Sequence, residues 1–129
     1  MNKFEDLKGK TLAAVSGRVG GDEVVFTTTE GEVAKLYHSQ DCCESVSVED
    51  ICGDFDDIIG SPLLLAEEAT SKENPAGIIV SEQDSFTWTF YKLDTVKGGV
   101  TIRWYGESNG YYSESVDFAQ IKTPTAQGE

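Results

Sequence analysis

Along the last third of the chain, apolar and polar positions alternate with a period of two. Phe86, Trp88 and Phe90 alternate with Thr87, Thr89 and Tyr91, and Val100, Ile102 and Trp104 alternate with Thr101, Arg103 and Tyr105. That is the spacing of strands that each present one apolar face. Lys97-Gly98-Gly99 reads as the turn between them. Asn109-Gly110 is a second hairpin signal, because a type I′ turn needs positive φ at both central residues. Tyr111 to Ile121 is then expected to return as a third antiparallel strand.

The N-terminal part follows the same logic. Phe4 and Leu7 fall on one face of a single helical turn within Phe4 to Lys10, which Gly9 ends. Strands are predicted over Thr11 to Val19, with Leu12 and Ala14 in alternation, over Glu23 to Thr29, and over Glu32 to Ser39. Val33 and Tyr37 are the expected inward or cross-strand residues of the third strand. The turns Gly20-Gly21-Asp22 and Glu30-Gly31 make this a three-stranded meander. In the middle, Ser45 to Val48 fits a short strand, and Val48 to Cys52 fits the start of a helical turn equally well. Phe55, Ile58 and Ile59 have helical spacing, with Asp54 as N-cap and Gly60 as the stop. Leu63 to Thr70 reads as extended, and Ser71 to Gln83 as a loop. The expected fold is mainly β, of the α+β type: an antiparallel sheet or meander with one or two short helices. It is expected to form a single domain over residues 1–122, with a frayed polar tail at 123–129.

Composition narrows the function classes. The chain has 129 residues, 39% of them hydrophobic, enough for a core without staples. No apolar run reaches the ~18 residues of a membrane span. Met1 to Lys10 lacks the apolar stretch of a secretory signal, which points to the cytoplasm. Cys42, Cys43 and Cys52 are an odd number, and adjacent cysteines rarely bridge, so they read as reduced thiols. The net charge of −13 repels phosphate backbones and argues against DNA or RNA as a ligand. It favours solubility and a basic protein partner.

The candidate chemistry is sparse. His38 with Cys42, Cys43 and Cys52 lacks any C-x-x-C pair, so structural cysteines are a better reading than zinc. The acidic belt Asp41, Glu44, Glu49, Asp50, Asp54, Asp56 and Asp57 lacks EF-hand order. It reads as a solvated loop or a protein-binding face. No nucleophile motif surrounds the single histidine, so the chain is not expected to be an enzyme, and no cofactor is implied.

The aromatic segment remains. Phe86 to Phe118 holds both tryptophans and four of the five tyrosines. Aromatic rings offer stacking faces to a base, and an arginine fork offers bidentate contacts to phosphate. Trp88 and Trp104 are expected to pack in the core. Arg103 and Tyr105 share the opposite strand face from Ile102 and Trp104. If a ligand sits here, Arg103, Tyr105 and the Asn109 turn are therefore better candidates than the tryptophans.

Three stretches carry a family resemblance: LYHSQDCCESVSVEDICGD, IGSPLLLAEE and TWTFYKLDTVKGGVTIRWYGESNGYYSESVDF. Together they resemble a widespread family of small bacteriophage proteins that long carried an unknown-function label. The vicinal cysteines followed by glutamate and the WYG-x-SNGYYS hairpin are its specific motifs. The chain further resembles the Thoeris anti-defence sponge family. That resemblance implies a mostly β-sheet protein that assembles as a dimer or higher oligomer. It implies binding of a cyclic ADP-ribose immune signal without cleavage, in the cytoplasm of an infected bacterium. Some members of that family also bind cyclic oligonucleotides at separate sites. Carried over, residues around Gly99 and Asn109 would line the pocket and Lys97 or Arg103 would supply local positive charge, so the resemblance implies a ligand-binding set of Lys97, Gly99, Arg103, Tyr105, Asn109 and Tyr111. Relatives carry an aromatic where this chain has Gly99, so one stacking face is missing and the ligand preference stays open. The rival expectation, from another class, is an acidic protein-binding inhibitor of a host defence nuclease or CRISPR effector.

Overall fold

The structure is a computed structural model that describes residues 1–78 and 84–122. Its strands are β1 (Leu12–Ser16), β2 (Glu23–Thr28), β3 (Val33–Tyr37), β4 (Ser45–Cys52), β5 (Leu65–Ser71), β6 (Ser85–Thr95), β7 (Gly98–Ser108) and β8 (Asp117–Lys122). Two 3-10 turns, Phe4–Leu7 and Phe55–Ile58, complete the regular structure. The strands form two antiparallel four-stranded sheets, ordered β1-β2-β3-β8 and β4-β7-β6-β5. The mainly β class with short helices is therefore what the chain adopts. The Asp54 cap forms as expected, its carboxylate accepting from Asp56 N at 3.0 Å. Ser45–Cys52 is strand throughout, which settles the ambiguity at Val48 to Cys52.

One core lies between the sheets. Leu12, Val24, Phe26 and Leu36 face Val48, Tyr91, Leu93, Ile102 and Trp104. At about 1.5–3 kcal/mol per fully buried large side chain, these contacts are the main stabilising term. The first 3-10 turn adds Phe4 and Leu7 to this core, and the Phe4 ring meets Tyr91, Phe26 and Phe118 edge-on. The sheets are stitched together along another side by main-chain bonds. Gly20 N donates to Val48 O, Gly60 N to Leu12 O, and Leu63 N to Lys10 O.

Several expectations need correction. Tyr111 to Ile121 does not return against β7. The chain runs irregularly to Val116, and β8 then pairs with β3 in the other sheet, Phe118 opposite Leu36. The β6–β7 turn is Val96-Lys97, since Thr95 already pairs with Gly98. In β3 the inward residues are Ala34 and Leu36; Val33 and Tyr37 occupy cross-strand positions on the other face. In β1 a bulge between Leu12 and Ala14 shifts the phase, leaving Ala14 exposed and turning Val15 toward the core. The tail at 123–129 and the Gln83 end of the loop lie outside the described residues. Among the described residues no helix is long and apolar enough to cross a membrane.

Candidate functional site

Pairing across the long hairpin decides which aromatics share a surface. Trp88 sits opposite Tyr105, and Phe90 opposite Arg103. Core residues Tyr91 and Leu93 point inward, so Phe86, Trp88 and Phe90 lie on the outer face of the second sheet. Trp88 is buried as expected, but not in the cluster between the two sheets. Trp88 is buried on the outer side, its ring 4.6 Å from that of Tyr105 and its Nε1 donating to Asn74 Oδ1 at 3.0 Å. Trp104 is in the core as expected. The register was readable only with the turn at Val96-Lys97; the glycines at 98 and 99 suggested a turn too far along.

Arg103 lies at the centre of this face, its guanidinium carbon 5.3 Å from the Trp88 ring centre. It is not free to clamp an anion. Its Nε donates to Glu49 Oε1 at 2.7 Å, and Nη2 lies 2.7 Å from Glu49 and 3.7 Å from Asp50. Consecutive strand residues normally point to opposite faces. A bulge in β4 between Val48 and Asp50 brings both carboxylates to Arg103. Tyr105 stacks on Phe86, and its hydroxyl donates to Glu107 Oε2 at 2.8 Å. The outer face thus carries Glu49, Asp50, Glu67, Asp94 and Glu107 against Arg103 and Lys92.

The other candidates fall elsewhere. Lys97 and Gly99 stand at the opposite end of β7 from Asn109, about 30 Å away at ~3.3 Å per residue. Lys97 Nζ donates to the carbonyls of Asp56 and Ile59, closing the second 3-10 turn. The space beside Gly99 is taken by the Asp94 carboxylate, 2.0 Å from where a Cβ would sit. Asn109 caps its own turn, its Oδ1 accepting from Tyr111 N at 2.9 Å. Tyr111 is 83% exposed and meets Tyr112 edge-on. Of the six candidates, only Arg103 and Tyr105 are direct neighbours on one face.

Asn109 opens onto a cavity of about 230 Å³ lined by Cys43, Ser45, Asp84, Glu107, Ser108 and Tyr112 as well. Glu107 joins it to the aromatic face. Small-molecule sites commonly run to about 300–1,000 Å³, so this one suits a single ring or a side chain.

The link between β3 and β4, which carries Cys43 to that cavity, holds a buried polar cage that the sequence reading missed. Glu44 Oε2 accepts from His38 Nε2 at 2.7 Å and from Asp41 N at 2.8 Å, and Oε1 accepts from Cys42 N at 2.9 Å. Burial pushes the Glu44 carboxyl up, but these donors outweigh burial and hold it at about 2. His38 Nδ1 faces Ser115 O at 2.7 Å, which ties the cage to the crossover before β8. Cys42 and Cys43 are bonded to each other, against the expectation of reduced thiols. Cys52 is free and exposed; its thiol is pushed up by a hydrogen bond to Asp50. Among the described residues no group of three His, Cys, Asp or Glu side chains is placed to hold a metal ion.

A family model described as "Domain of unknown function (DUF7448)" matches residues 5–118. The chain belongs to the DUF7448 family. That match spans the hairpin, the cage and the cavity alike. No curated protein matches the chain, and no solved structure does.

Proposed function

We propose that this DUF7448 protein acts by binding without turnover, and that its working surface is the outer face of the β4-β7-β6-β5 sheet. The favoured partner is a basic segment of another protein. One observation carries this reading: the β4 bulge sets Glu49 and Asp50 side by side around Arg103, leaving the aromatic face with an excess of carboxylates. Arginine or lysine side chains of a partner would gain both charge pairing and contact with Tyr105, Phe86 and Phe90. In the phage setting that the family resemblance implies, such a partner is a host defence nuclease or CRISPR effector.

The test is calorimetry with an arginine-rich peptide. Replacing Glu49 and Asp50 by lysine should weaken binding tenfold or more, whereas Glu30→Lys on the other sheet should change it little. Equal losses for the two sites would mean diffuse attraction and would overturn the assignment.

A second reading, sequestration of a cyclic ADP-ribose or cyclic oligonucleotide signal without cleavage, draws support from the Asn109 cavity. Asn109 and Tyr112 offer hydrogen-bonding groups and a ring to one nucleobase. It ranks second because Arg103 and Lys97 are already engaged, so phosphate charge would have to be met across an interface between copies of the chain. A rise in melting temperature with intact nucleotide recovered, abolished by Asn109→Ala, is its expected outcome.

A further inference from the structure

The vicinal cysteines have no role in either binding reading, yet they sit where two structures meet. Toward the interior, Cys42 N donates to the buried Glu44 carboxylate, and Gln40 Nε2 donates to Glu44 O at 2.6 Å and to Cys42 O at 3.3 Å. Toward solvent, Cys43 is a wall of the Asn109 cavity. Both cysteines are exposed, so a reagent can reach them. Immediately beyond them, Ser45 pairs with Glu107 at the start of the β4–β7 ladder. One covalent bond therefore borders the carboxylate cage on one side and the cavity on the other.

We propose that Cys42 and Cys43 form a reversible thiol–disulfide site whose redox state sets the shape of the Asn109 cavity. The step is a two-electron exchange with a dithiol. A thiolate of the dithiol attacks one cysteine sulfur, the Cys42–Cys43 bond breaks, and a mixed disulfide forms. The second thiol of the reagent then attacks that mixed disulfide. The reagent leaves as a cyclic disulfide, and both cysteines end as thiols carrying the two protons. A low-molecular-weight disulfide reverses the exchange.

The consequence follows from the ring the bond closes. While bonded, the two side chains and the main chain between them make one small ring, which confines the Cys42 and Cys43 torsions. Reduction lets the sulfurs separate. The Cys42 N–H bond to Glu44 loses that constraint, and the cavity wall at Cys43 moves with it. Because His38 links Glu44 to Ser115, the change extends to the crossover following Asn109 and Tyr112. Cys52 takes no part. It stands at the far end of β4, about 23 Å along the strand at ~3.3 Å per residue.

The test uses the full chain carrying Cys52→Ser, treated with oxidised glutathione or with dithiothreitol. Intact mass after N-ethylmaleimide should show no adduct on the oxidised protein and labelling of both Cys42 and Cys43 after reduction. Labelling before reduction, or a glutathione adduct in place of the internal bond, would overturn the proposal. Amide spectra of the two states should differ at Cys42 and Glu44 and also at Ser108, Asn109 and Tyr112. Changes confined to residues 41–44 would refute the link to the cavity. Adding Cys42→Ser and Cys43→Ser together removes the bond and every remaining thiol, so that variant should give one spectrum under both treatments. A redox response persisting there would also count against the proposal.

Discussion

Glu44 shows how one side chain organises a segment without regular structure. Its carboxylate gathers the Asp41 and Cys42 amides and the His38 ring, so the link between β3 and β4 is built around a buried charge. The cost of burial is offset by charge-assisted hydrogen bonds. Its folded value of about 2 lies below the ordinary 4.5. The charged form therefore stabilises the fold fully above 4.5, and that stability is lost as pH falls through about 2. Glu44→Gln keeps the size and loses the charge. Its melting temperature should fall below that of the parent protein at pH 7, and the gap should close between pH 4.5 and pH 2. Thermal melts of both proteins across that range check this; a gap that stays constant down to pH 2 contradicts the role given to the carboxylate. The CCE triplet was visible in the sequence as a motif, but its meaning was not. Recognising the cage required knowing that His38 and Ser115 come to the same place.

At the scale of elements, the hairpin and the crossover respond differently to the same small change. A Cβ at Gly106 would come within 2.5 Å of the Glu114 carbonyl oxygen, a main-chain atom of the crossover. A Cβ at Gly99 would meet the tip of the Asp94 side chain, which can swing away. Gly106→Ala should therefore cost about 1–3 kcal/mol, as overpacking does. Gly99→Ala should stay within about 0.5 kcal/mol of the parent protein, as surface changes do. Urea unfolding of the two variants tests this, and equal costs would mean that the crossover yields as easily as a side chain. The same crossover explains what the sequence concealed. Strand alternation, the Gly20-Gly21 turn and the Asp54 cap are local signals, and they were legible. Asn109-Gly110 looked like a hairpin because its turn chemistry is also local. What sends the chain to the other sheet is Glu114, buried and bonded to Thr87 and Ser108, with Lys72 beside it. Thr87 and Lys72 are distant in sequence from Glu114. A charged residue flanked by Ser113 and Ser115 was the one warning that the strand pattern had stopped.

Over the whole molecule, 23 acidic residues face 10 lysines and arginines. Among the described residues, Lys10, Lys35, Lys72 and Arg103 make ion pairs with carboxylates. Most of the negative charge is therefore left to repel itself, which opposes the compact state. Raising NaCl from about 20 mM to about 500 mM shortens the screening length from roughly 20 Å to roughly 4 Å. Long-range repulsion is lost over that interval, while pairs as close as Arg103–Glu49 at 2.7 Å keep more of their strength. The melting temperature should rise across the titration. A fall would mean that the few ion pairs outweigh the repulsion. The same balance separates a specific basic partner from simple charge relief. A partner seated on Glu49 and Asp50 relieves repulsion and also covers the aromatic face, so part of the stabilisation it confers should survive high salt. The arginine-rich peptide should raise the melting temperature most at low salt, and a remainder should persist near 500 mM for the parent protein but not for the variant with lysines at 49 and 50. If the remainder vanishes in both, the attraction belongs to the net charge of the molecule and not to this face.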